Sequence, residues 1–129
     1  MQSMMPQTKP IIPVPPVHHP TIRVEEKTLV FSRQAMELLQ LRPSSRITIE
    51  QDTNNPDDLY VKVTDLMGYD VVRRNHRGFV YSLPLARTIL IIAGIDAKSA
   101  VFRLGEPTYN SIGQRIIPII TKIDYADKH

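Results

Sequence analysis

The side chains best equipped for chemistry in this chain are arginines, and they crowd into one short stretch, Arg73-Arg74-Asn75-His76-Arg77-Gly78. A guanidinium stays charged at physiological pH, and its planar fork of donors matches phosphate oxygens and guanine edges. The run from Asn75 to Gly78 reads as a hairpin turn, with the final glycine suited to positive φ. Strand alternation sends Arg73 and Arg74 to opposite faces, so at most one of them shares a face with Arg77, Phe79 and Tyr81. A stripe of Arg77, Phe79 and Tyr81 suits single-stranded nucleic acid, with arginine on phosphate and rings on bases. The competing arrangement buries Phe79 and Tyr81 in the core and leaves the arginines as a solvated edge that blocks strand pairing.

Other reactive groups are scarce. The chain has no cysteine, which removes disulfide scaffolds, thiol catalysis and Cys-based metal sites together. Histidines stand only at 18, 19, 76 and 129. There is no Gly-rich phosphate loop, no GxSxG elbow and no His-x-x-x-His pair. The run Asp52-Thr53-Asn54-Asn55-Pro56-Asp57-Asp58 has a calcium-loop flavour, but Pro56 occupies the third alternating ligand position and no Gly or late Glu follows. It reads as an ordinary turn. The expectation is a protein without catalytic residues, cofactor or metal, and not an enzyme.

Charge is modest in total and uneven in distribution. The net charge is +3 over 129 residues, and ten of the sixteen basic residues are arginine. Between 50 and 70, Glu50, Asp52, Asp57, Asp58, Asp65 and Asp70 face Lys62 alone. Between 71 and 103 the balance inverts, with Arg73, Arg74, Arg77, Arg87, Lys98 and Arg103 against Asp96. An acidic lobe beside a basic one points to an anionic partner, or to self-association through opposite charges.

The elements that must position these arginines are short. Six of the eleven prolines fall within residues 1–20, which predicts a flexible polyproline-like arm. Its PxxP spacing, within residues 9–16, is of the kind Pro-binding modules read. No apolar run approaches a signal peptide or a membrane span, so a soluble, cytoplasmic protein is expected. Lys27 to Phe31 reads as a strand, and Ser32 as the N-cap of a short helix over Arg33–Leu39. Arg46 to Gln51 and Leu59 to Val63 alternate as a hairpin. Tyr69 to Arg74 and Gly78 to Tyr81 form another. Ser82 and Pro84 open a second helix that ends at Gly94-Ile95 in a left-handed cap. Ala100 to Leu104 and Arg115 to Thr121 finish the chain as strands, with Pro118 forcing the last to an edge or a bulge.

Two stretches about 50 residues apart share a plan. Leu29-Val30-Phe31-Ser32, helix, Leu41, turn, Arg46-Ile47-Thr48-Ile49 matches Phe79-Val80-Tyr81-Ser82, helix, Ile95, turn, Ala100-Val101-Phe102-Arg103. This alignment sets Ser32 on Ser82 and Ile47 on Val101. Neither β-α-β unit can bury its apolar face alone, so two packed together would close a small core. The expected fold is α+β, a small β-rich barrel or sandwich with two short helices. It is built from pseudo-repeats 27–64 and 78–121 within one domain, 21–129.

The first copy resembles the AbrB/SpoVT swapped-hairpin family of DNA-binding proteins, which includes the MazE-like antitoxins. That pattern runs basic residue, strand, Ile-Pro, short helix, Leu-Gly-Leu, Lys-Pro-Gly-Asp, strand. It is met by Lys27, Leu29-Val30-Phe31, Arg33 to Leu38, Leu39-Gln40-Leu41, Arg42-Pro43-Ser44-Ser45 and Arg46-Ile47-Thr48-Ile49. Ser32 replaces the family's proline, and Gln40 and Ser44 replace two glycines. The resemblance implies interleaved β-α-β units, usually in a homodimer, with duplex DNA contacted in a regulatory role by basic residues on strands and turns. The expected contacts are Arg73, Arg74, Arg77, Lys27, Arg33, Arg42 and Arg46. The alternative is a structural or assembly protein of a mobile element or virion, whose arm and opposed charges join subunits into an oligomer.

Overall fold

In the computed structural model, which describes residues 19–121, the first half of the chain runs β1 (Thr21–Val24), β2 (Thr28–Phe31), α1 (Arg33–Leu39), β3 (Arg46–Gln51) and β4 (Leu59–Thr64). The second half runs β5 (Tyr69–Asp70), β6 (Val72–Arg74), β7 (Arg77–Tyr81), α2 (Leu83–Ile92), β8 (Ala100–Leu104), β9 (Thr108–Tyr109) and β10 (Arg115–Ile120). Nearly all of the arm expected over 1–20, with its PxxP motif, lies outside the described residues.

Alternation explains the strands. Ile22, Val24, Leu29, Phe31, Ile47, Leu59, Val61, Phe102, Leu104, Ile117 and Ile119 all point inward and are at most 5% exposed. Fully burying an aliphatic or aromatic side chain of this size contributes about 1.5–3 kcal/mol, so the inward set dominates the fold. Strand pairing follows the order β5-β3-β4-β10-β8-β1-β2-β7-β6, with β9 added to β10, and these pairs are antiparallel. The two outermost members, β5 and β6, are consecutive in the chain and separated by Val71 alone. The sheet therefore curls until its ends meet, giving a nearly closed α+β barrel.

This ring reads the same from either half. Each half contributes strand, strand, helix, strand, strand: β1-β2-α1-β3-β4, then β5/β6-β7-α2-β8-β10. β2 pairs with β7, and β4 with β10, so each of these two contacts joins an element to its own counterpart. The repeat thus begins one strand earlier than 27 and 78. Strand β1 escapes the sequence reading because two apolar residues after a proline-rich stretch carry little signal.

The residue alignment of the copies is slipped by one. Phe31, just before the cap Ser32, is fully buried, whereas Tyr81, just before the cap Ser82, is 55% exposed. Likewise Ile47 is buried but Val101 is 57% exposed, and Phe102 takes the inward place. The inward residues of β7 are Gly78 and Val80. Gly78 is glycine for want of space, since a Cβ there would meet the Met36 side chain of α1 and lie 2.8 Å from Val71 Cγ1. Positive φ belongs instead to Asn75 and His76, at 50° and 66°, the two central residues of a tight hairpin turn.

Both helices start as expected. Ser32 Oγ accepts the N–H of Ala35 at 3.1 Å and Ser82 Oγ that of Leu85 at 3.2 Å. At the end of α2, Gly94 donates to Ile91 O at 3.0 Å and Ile95 to Leu90 O at 2.9 Å, closing a left-handed cap with Gly94 at φ 71°. In α1 the equivalent left-handed position is held by Gln40, at φ 55°. Pro118 is not on an edge strand, because β10 lies between β4 and β8. Its carbonyl accepts from Gly105, and within a strand the N–H side faces the same way. There β9 pairs with Arg115 and Ile116 and β8 with Ile119 and Ile120, so the missing donor falls in the gap between two partners.

Candidate nucleic-acid interface

Antiparallel pairing carries side chains across the sheet in rows, because directly opposed residues share a face. One outer row begins at Arg103 of β8, which pairs with Thr21 of β1. Thr21 and Ser32 come next. The Thr21 N–H donates to Ser32 Oγ at 3.0 Å, and the Ser32 N–H to Thr21 O at 3.0 Å. Register continues the row to Arg77 of β7, which pairs with Arg74 of β6. With strands about 4.8 Å apart, Arg103 and Arg77 are separated by roughly 14 Å. Arg33, the first residue of α1, stands beside this row.

Together His19, Thr21, Ser32, Arg33, Arg77 and Arg103 line an open depression of about 440 Å³, and no carboxylate side chain lines it. The ion pairs among the described residues are Arg23–Glu25, Arg33–Glu37, Arg46–Asp70 and Lys62–Glu50. Arg74, Arg77 and Arg103 take part in none of them. Arg33 does, but only through an exposed contact of 3.5 Å to Glu37, of the sort worth a few tenths of a kcal/mol.

A second row runs parallel to the first, two residues along each strand: Val101, Arg23, Val30, Phe79 and Val72. Val101 and Val72 are exposed, and Tyr81 lies beyond Phe79 on the same strand and face. The rings of Phe79 and Tyr81 are stacked, with centroids 6.3 Å apart and planes 13° from parallel. The expectation that these two rings could be core is corrected by the burial: the core takes Gly78 and Val80, and the aromatics face outward.

The other expected contacts scatter. Arg73 turns to the opposite face from Arg74, as alternation requires, and its guanidinium donates to Leu41 O at 2.8 Å below the end of α1. Arg46 is committed to Asp70 at 3.1 Å and to the carbonyl of Leu66 at 3.2 Å. Arg42 lines a separate depression that also holds Asp65 and Lys62. Lys27 sits in the turn between β1 and β2, where its carbonyl accepts the N–H of Ser82. Of the seven, Arg33, Arg74 and Arg77 come together. Arg103 joins them unforeseen. The inward pair Phe102 and Leu104 marks it as outward-facing, but its neighbours come from β1 and β7, which no local pattern reveals.

The far side of the barrel is different. Outward residues of β3, β4 and β10 include Glu50, Tyr60, Lys62 and Pro118. Lys62 is held by Glu50 at 2.9 Å. Burial pushes the Tyr60 hydroxyl above the usual phenol range, and the carboxylates of Asp58 and Asp52 push it further. Below it, Asp52 Oδ1 accepts the N–H groups of Asn54 and Asn55 at 2.7 and 3.1 Å, which assigns this carboxylate to the turn. No group of three His, Asp or Glu suited to a metal occurs among the described residues, and no described helix is long and apolar enough to cross a membrane.

No protein-family model, curated protein sequence or solved structure matches the chain.

Proposed function

We propose that the protein binds nucleic acid, gripping the phosphate backbone with Arg33, Arg74, Arg77 and Arg103. The observation that carries this reading is the acid-free depression, into which the barrel's register brings arginines from β7, β8 and α1. Arg74 and Arg77, opposed on neighbouring strands with no ion pair among the described residues, repel one another, and a polyanion is the ligand that relieves the repulsion. The AbrB/SpoVT resemblance over 26–49 supports DNA as the polyanion and a regulatory role.

Retention of labelled oligonucleotides at about 50 mM salt tests this directly, because phosphate contacts are strongest there. The triple variant Arg74→Gln, Arg77→Gln, Arg103→Gln should flatten the plot of log affinity against log salt. The change is about 2.7 on duplex DNA or about 2.1 on single strands. Exposed charge substitutions of this kind usually shift stability by no more than about 0.5 kcal/mol, so the variant stays folded. No retention by the wild type at that salt sinks the reading.

A second reading, assembly of like subunits, draws on the acidic residues around Tyr60 opposite the basic row. It requires an oligomer that dissociates as salt is raised, which light scattering on the full chain measures.

A further inference from the structure

We infer that the outer face of β8-β1-β2-β7-β6 is a base-stacking floor, so that the nucleic acid bound is single-stranded. This rests on the phosphate contacts proposed above and adds the identity of the strand. The two outer rows are in register and about 7 Å apart, two residues along a strand. That is the scale of one nucleotide from phosphate to base. The arginine row meets phosphates while the row of Val101, Arg23, Val30, Phe79 and Val72 meets what hangs from them.

Apart from Arg23, which lies 3.9 Å from Glu25, the floor is apolar where a solvent-facing strand is normally polar. In the second row Val101 is 57% exposed and Val72 37%, and Tyr81, 55% exposed, lies two residues beyond Phe79 and stacks on it. Unpaired bases offer flat apolar faces that duplex DNA keeps inside its stack, and aromatic side chains on a sheet recognise them without regard to sequence. The major groove of a regular duplex admits an α-helix or a two-stranded ribbon, not a five-stranded face, so an unbent double helix meets mainly the arginines. Charge complementarity along the first row selects a polyanion over an uncharged partner or a second copy of this basic face.

The floor exists because of the one-residue slip between the copies. In the first copy the aromatic before the cap, Phe31, is spent on the core. In the second, α1 and Met36 already fill the space over Gly78, and the aromatics are turned out.

The test uses the full chain and fluorescein-labelled 20-nucleotide oligo-dT against a 20-base-pair duplex, by anisotropy across a salt series. The expected result is tighter binding of oligo-dT, weakened about tenfold or more by Tyr81→Ala and retained by Tyr81→Phe, with the duplex affinity and the salt slopes unchanged by either. The chain has no tryptophan, so quenching of tyrosine emission by an unlabelled oligonucleotide, lost in Tyr81→Phe, reports the same contact. Equal or tighter binding of duplex, or no effect of Tyr81→Ala on oligo-dT, overturns the floor. The arginine reading then still stands if the triple variant flattens the slope. A concentration-dependent dimer that Val101→Arg and Tyr81→Arg both abolish identifies the face as a self-contact and also overturns it. Absence of binding to either probe at low salt removes both proposals.

Discussion

The two outer faces of this barrel share one construction and differ in what they leave unsatisfied. On β3, β4 and β10 the outward cation Lys62 is neutralised by Glu50 and reaches Gln114 Oε1 at 3.3 Å, while Tyr60 sits among carboxylates. On β8-β1-β2-β7-β6 the outward cations Arg74, Arg77 and Arg103 have no carboxylate partner among the described residues, and apolar side chains lie next to them in water. The inward halves of both faces are apolar core. Closing the barrel constrains only every second residue, so the alternate set is free to differ, and it leaves one surface whose cation is paired and one whose arginines are not.

The strongest way to break the comparison acts on the slip between the copies. Phe31→Ala should cost about 3–5 kcal/mol of unfolding free energy in a urea titration. Tyr81→Ala, at the same place before its own helix, should cost less than about 1 kcal/mol. Equal losses would mean that the two aromatics face the same way.

The caps give a smaller contrast. Ser32 Oγ accepts from both Ala35 and Thr21, and so ties α1 to β1, whereas Ser82 Oγ accepts from Leu85 alone. Ser32→Ala should therefore cost about 2 kcal/mol and Ser82→Ala about 1 kcal/mol by the same titration. The helix ends sharpen it further, with opposite signs. Gln40→Gly relieves a side chain held at φ 55° and should raise stability by about 0.5–1 kcal/mol. Gly94→Ala, at φ 71°, should lower it by about 1 kcal/mol.

The smallest effect is expected on the acidic side. Asp52→Asn with Asp58→Asn should bring the Tyr60 hydroxyl only part of the way back toward the usual phenol range, since burial is the larger cause, as phenolate absorbance would record. The sign of the linkage follows. A phenol pKa raised by folding contributes stability that is fully present below about pH 10 and is lost as pH rises through the raised value. The same double variant should change oligonucleotide affinity less than about twofold at 0.15 M salt, where screening acts over about 8 Å.

Local chemistry was legible in the sequence, and closure was not. The caps Ser32 and Ser82, the hairpin around Asp52, and Gly94 each depend on neighbours within a few residues, and they stand where the pattern puts them. Strand β1, the place of Pro118 between partners, and the meeting of Arg103 with Arg77 depend on pairs 47 to 82 residues apart that only the finished ring supplies. The orientation of β7 lay between these cases. Its two alternating sets, Gly78 with Val80 and Phe79 with Tyr81, are both apolar, and size argues for burying the aromatics. The inward side of Gly78 is crowded by Met36 of α1 and by Val71, and it is the smaller pair that faces them.

The seam at Val71 has a consequence for the topology of the chain itself. Because the ring is closed by β5 and β6 in mid-sequence, the first and last strands need not meet, and they flank β8 instead: Thr21 and Ile120 both pair with Arg103. The two ends of the barrel thus emerge about 10 Å apart, two strand spacings. A short linker between them and a cut at Asn75-His76 would give a circular permutant with every strand pair intact. In the unpermuted chain, the backbone enters β1 and leaves β10 on either side of Arg103, so both crossings into the barrel lie next to the arginine row.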